Sequence, residues 1–81
     1  MIMVDIEVPV LGQVYDFELN EEKETKKLLE EIVEIIAEKE KKKVYKESEM
    51  LLYAYQSECI LNAELTLKEQ GIGNGVRLVL F

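Results

Sequence analysis

The chain has 81 residues and a formal net charge of −7, with 48% hydrophobic residues, 33% charged residues and one cysteine. That length holds one core and one domain, over residues 1–81; the composition is too apolar for a disordered chain, and a lone Cys59 cannot form an internal disulfide, so a reducing cytosol fits. The acidic balance opposes direct nucleic-acid or anionic-lipid binding, and no apolar run approaches the ~18 residues that span a bilayer.

The first segment, "MIMVDIEVPV", carries no basic leader and meets Asp5 and Glu7 early, so it does not read as a signal peptide. Ile2, Val4, Ile6 and Val8 alternate with Met3, Asp5 and Glu7, the pattern of a half-buried strand. Pro9 limits further pairing, and Gly12 permits a turn with positive φ. "VYDFEL" (14–19) alternates again, and the two runs around a short glycine loop predict a hairpin.

From residue 20 to 43 the period changes. Thr25, Leu28, Leu29, Ile32, Val33 and Ile36 form one apolar stripe at helical spacing. The helix starts between Asn20, acting as a cap, and Glu24. A length of about 18–22 residues is expected, above the usual mean. Glu21, Glu22 and Glu24 would then complement the positive end of its dipole, and Lys39, Lys41, Lys42 and Lys43 the negative end. "EMLLYAY" (49–55) predicts a strand, "CIL" (59–61) a short partner, "LTLKEQGI" (65–72) one helical turn closed by Gly71, and "VRLVLF" a final strand after the "GNG" turn.

That order, a hairpin, one helix crossing it and a return of strands, predicts an α+β fold of β-grasp type. In it a mixed sheet packs on one long helix and leaves its other face in solvent. The whole chain resembles ubiquitin in this respect. The stretches "DFELNEEKETKKLLEEI", "ECILNAELTLKEQGI" and "GIGNGVRLVLF" are similar to the YukD/EsaB family. The resemblance rests on Lys26 and Lys27 early in the helix, the Gly71–Ile72 corner, and Asn74–Gly75 with Arg77 two places later. Val76 stands where that family commonly has an acidic residue. The resemblance implies a small cytoplasmic, non-catalytic accessory or regulatory binding protein of a bacterial type VII-like (WXG-substrate) secretion system, with a protein partner for which a component of that machinery is a candidate.

Ubiquitin and the sulfur carriers of this fold end in a slender Gly-Gly tail that an activating enzyme can thread. The sequence ends in Phe81, so carrier or modifier chemistry is the lesser expectation beside binding. No catalytic residue, metal site or cofactor is expected. Histidine, the commonest general base, is absent. Cys59 lies between Glu58 and Ile60, flanks that oppose a reactive thiolate. "GIGNG" precedes a strand rather than a helix, so it is not a phosphate loop.

Strand parity singles out the candidate site. If Leu52 and Ala54 point to the helix, Leu51, Tyr53 and Tyr55 point outward. If Leu78 and Leu80 point inward, Val79 and Phe81 point outward. Tyr53, Tyr55, Val79 and Phe81, with Leu11 reaching in from the hairpin tip, then form an apolar patch where polar residues belong. Ubiquitin presents its main recognition patch on the corresponding face. The patch suits a protein partner or, as the alternative, self-association. The cluster Lys39, Lys41, Lys42 and Lys43 is a candidate electrostatic contact.

Overall fold

The computed structural model describes residues 1–41 and 50–81. Strand β1 (Ile2–Val8) and strand β2 (Gln13–Leu19) form the predicted antiparallel hairpin, joined by a 3-10 turn over Pro9–Leu11 and by Gly12 at φ 63°. Helix α1 spans Thr25–Glu40. Strands β3 (Leu52–Ala54) and β4 (Cys59–Ile60) pair antiparallel, a second 3-10 turn covers Lys68–Gln70, and β5 (Arg77–Leu80) closes the order. The sheet runs β2-β1-β5-β3-β4, with β1 and β5 parallel and the other pairs antiparallel. The fold is therefore the expected α+β arrangement of a mixed sheet and one crossing helix.

One core joins the two layers. Val4, Ile6 and Val8 of β1, Tyr15 and Phe17 of β2, and Leu78 and Leu80 of β5 are buried with the helix stripe Leu28, Leu29, Ile32, Val33 and Ile36. The period-2 and period-3.6 patterns thus meet on one side of the sheet, and burial of those side chains is the main force holding helix to sheet. The "GNG" turn is tied to the first strand. Gly75, at φ 81°, donates its N–H to Met3 O at 2.8 Å, and Asn74 Oδ1 accepts from Met3 N at 2.8 Å.

The helix begins at the late end of the expected range, with Glu24 as its N-cap, and is shorter than expected. Asn20 starts a turn instead of capping the helix: its side chain accepts from Glu22 N and its carbonyl from Lys23 N. The first helical N–H groups go to a distant loop. Thr25 N donates to Leu65 O at 2.9 Å and Lys26 N to Ala63 O at 3.0 Å. The buried Thr25 hydroxyl donates to the same Leu65 carbonyl at 2.7 Å. Gln70 locks that loop in place, with its amide nitrogen donating to Thr25 Oγ1 and to Asn62 O, and its oxygen accepting from Asn62 N. Helix donors need partners, and here tertiary carbonyls replace a local cap. At the far end Lys41 adopts the left-handed conformation, φ 56°, and its N–H returns to the last turn. The helix is therefore 16 residues long. Glu21 and Glu22 precede it, Lys39 lies in its last turn and Lys41 caps it, while Lys42 and Lys43 lie outside the described residues.

Candidate protein-docking face

The helix covers one side of the sheet, and the strand registers arrange the other side in rows. Glu7 pairs with Val14 and with Val79; Val79 pairs with Tyr53; Tyr53 pairs with Ile60. One row therefore reads Val14, Glu7, Val79, Tyr53, Ile60 across all five strands. The next row holds Asp16, Asp5 and Arg77, with Tyr55 N donating to Arg77 O. On the opposite flank Leu51 and Phe81 exchange two backbone hydrogen bonds, of 2.7 and 3.0 Å.

Leu52 and Ala54, and Leu78 and Leu80, point into the core, so their neighbours point out. Tyr53 and Val79 are half-buried, Tyr55 is 47% exposed and Phe81 48% exposed. The structure brings these residues together on neighbouring strands β3 and β5. The Tyr53 and Tyr55 rings meet edge to face, centroids 5.8 Å apart. Tyr55 also donates its hydroxyl to Glu7 Oε1 at 3.1 Å, and this bond holds the phenol above its ordinary pKa by favouring the protonated form.

Leu11 lies elsewhere: it is half-buried and packs against the core cluster. That contact ties Leu11, at the end of the Pro9–Leu11 turn, to the core cluster. Two residues outside the predicted patch complete it. Leu51 is 45% exposed beside Phe81, and Ile60 is 51% exposed opposite Tyr53. The parity reading already turned Leu51 outward. The pairing of Cys59 with Ala54, which turns Ile60 out, needs the register.

The open side is acidic over β1 and β2. Asp5 and Asp16 stand directly opposite each other. Asp16 is held above its ordinary pKa, first by its hydrogen bond with Asp5 and then by that residue's charge. Arg77, the only basic residue within the five strands, has Nη2 3.6 Å from Asp5 Oδ2. Lys39 and Lys41, the described members of the lysine cluster, are not part of this face. Lys39 Nζ lies over the ring of Tyr15, 5.2 Å from its centroid, on the helix side. Lys41 is exposed at the helix end, while Lys42 and Lys43 lie outside the described residues. Cys59 is exposed on β4 and its thiol donates to Ser57 Oγ at 3.3 Å. Val76 is buried, so the position after "NG" serves the core. Among the described residues, no cluster of histidine, cysteine or carboxylate side chains has the grouping of a metal site, and no helix is long and apolar enough to cross a membrane.

Solved structures with the same architecture span the whole chain. A ubiquitin-like domain from Arabidopsis thaliana superposes with a TM-score of 0.76 at 22% identity, over 99% of this chain and 74% of that one. The fold is ubiquitin-like. A designed protein built on a human erythrocytic ubiquitin template matches with a TM-score of 0.77 at 25% identity, over 100% and 90% of the two chains. ATBAG1, solved in complex with HSP70, matches with a TM-score of 0.78 at 12% identity, over 100% of this chain and 40% of its own. No protein-family model and no curated protein matches the sequence. In this ubiquitin-like frame the apolar rows lie on the sheet side away from the helix, across β5, β3 and β4.

Proposed function

We propose that the protein is a non-catalytic ubiquitin-like binding module whose open sheet face docks a protein partner. The observation that carries this reading is the run of Val79, Tyr53 and Ile60, flanked by Phe81 and Leu51, on a face left bare by the helix. The solvated face of such a sheet is commonly polar, and a contiguous apolar patch on it marks an interaction site. Aromatic anchors with two soft torsions lose little entropy on docking and recur as binding hot spots.

The finer reading is an accessory or regulatory role in a bacterial type VII-like secretion system, in the cytoplasm. It rests on the likeness of Lys26–Lys27, Gly71–Ile72 and Asn74–Gly75…Arg77 to YukD/EsaB proteins. The test has two parts. WXG-type substrates and an FtsK-like ATPase should be encoded beside the gene, and one of them should co-purify with the protein on co-expression. Tyr53→Ser with Val79→Ser should abolish that co-purification while leaving the far-UV spectrum unchanged. A gene neighbourhood without secretion components reduces the role to a general adaptor. Co-purification untouched by the double substitution removes the docking face. Self-association through the same apolar rows is the second reading, and sedimentation over a concentration series separates it from a monomeric adaptor.

A further inference from the structure

The open face is lopsided in charge, and the asymmetry selects its occupant. Asp5, Glu7, Asp16 and Glu18 lie over β1 and β2, while Val79, Tyr53 and Ile60 lie over β5, β3 and β4. Arg77 pairs with Asp5, and its charge also acts on Asp16, so one cation answers four carboxylates. Like charges placed directly opposite on neighbouring strands oppose folding, so the Asp5–Asp16 pair is a standing cost in the free protein. Resting on the reading that this face docks a protein, we infer that the occupant is a basic segment bearing a bulky apolar side chain. Its Lys or Arg groups meet Asp5, Asp16 and Glu18, and its apolar side chain seats against Tyr53, Val79 and Ile60.

The dimensions suit a short peptide. Strands lie about 4.8 Å apart, so β2 and β3, three steps apart in the sheet, are separated by roughly 14 Å. About four residues of extended chain, or nine to ten of helix, cover that distance. A cation near the rim also gains from the tyrosine rings, as Lys39 does over Tyr15 on the other side of the sheet. A second copy fits less well: it brings the same carboxylates and a further net charge of −7 to the contact. A phosphate backbone is repelled for the same reason.

The experiment is a selection from a displayed library of random 15-residue peptides, with the Tyr53→Ser/Val79→Ser protein as counter-target. The enriched peptides should carry net positive charge and at least one Leu, Ile, Phe or Trp, and should shift the amide resonances of Tyr53, Val79 and Asp5. Combining Asp5→Asn, Asp16→Asn and Glu18→Gln should weaken them by about tenfold or more at low salt. A helix control of equal charge change, Glu30→Gln, Glu34→Gln and Glu38→Gln, should cost less than about threefold. Neutral or acidic peptides that still shift Tyr53 and Val79 overturn the basic occupant and leave the docking face standing. Peptides that bind the counter-target equally well overturn both. A dimer that buries Tyr53 and Val79 makes a second copy the occupant and overturns the proposal.

Discussion

Tyr55 of the β3 hairpin donates its phenolic hydroxyl to Glu7 Oε1 at 3.1 Å, reaching over β5 to the first strand of the chain. The bond joins the aromatic half of the open face to its acidic half. It also sets a titration. Glu7 favours the protonated phenol and raises the Tyr55 pKa above its ordinary 10.0. The stabilisation is complete below that ordinary value and is lost as pH rises through the raised one. Glu7→Gln should bring the Tyr55 transition back toward the ordinary value, measured by NMR on ring-labelled tyrosine. A transition unmoved by Glu7→Gln would show that the bond does not persist in solution.

Core and face should respond oppositely to substitution. Ile32 and Leu78 are fully buried between helix and sheet. Ile32→Ala or Leu78→Ala should each cost roughly 2–5 kcal/mol, a large part of what a small domain has. Tyr53→Ser with Val79→Ser removes partly exposed side chains and should shift the denaturation midpoint far less. Urea titration of the variants is the measurement, and a reversed order would mean that the sheet presents its other side to the helix.

Gln70 should matter more than its place in a polar loop suggests. It holds Thr25 Oγ1 and the 62–66 backbone together at the start of α1. Gln70→Ala strands those groups and should cost roughly 1–3 kcal/mol. Hydrogen exchange should quicken first at Thr25 and Lys26, whose N–H groups depend on the loop.

Asp16→Asn should raise the melting temperature at neutral pH. Asp5 raises the Asp16 pKa in the folded state, so the ionised form opposes folding above that pKa. The opposition fades as pH falls through the raised value toward the ordinary 3.8, and the gain from Asp16→Asn should fade with it. A pH series of thermal melts on the two proteins checks the sign. A gain that grew in acid would mean that the folded protein favours the ionised Asp16 and lowers its pKa instead.

The architecture was legible because its two periodicities are local. Alternation over Ile2–Val8 and Val14–Leu19 marks half-buried strands without reference to any partner, and the stripe from Thr25 to Ile36 marks a helix face. Parity on "LLYAY" and "RLVLF" turned Leu51, Tyr53, Tyr55, Val79 and Phe81 outward for the same reason: successive strand side chains point to opposite sides. What tertiary structure alone decided depends on contacts between residues far apart in the chain. Register put Val79 between Glu7 and Tyr53 and turned Ile60 out beside them. Leu11, in the Pro9–Leu11 turn, packs half-buried against the core cluster. Of the starts between Asn20 and Glu24 that the sequence allowed, the structure selects the last, because carbonyls some 40 positions later satisfy the first helical donors. Lys39 found the Tyr15 ring because the helix crosses the hairpin. Side-chain direction is a property of the strand or helix itself, whereas which side chains become neighbours is set by how the elements pair and pack.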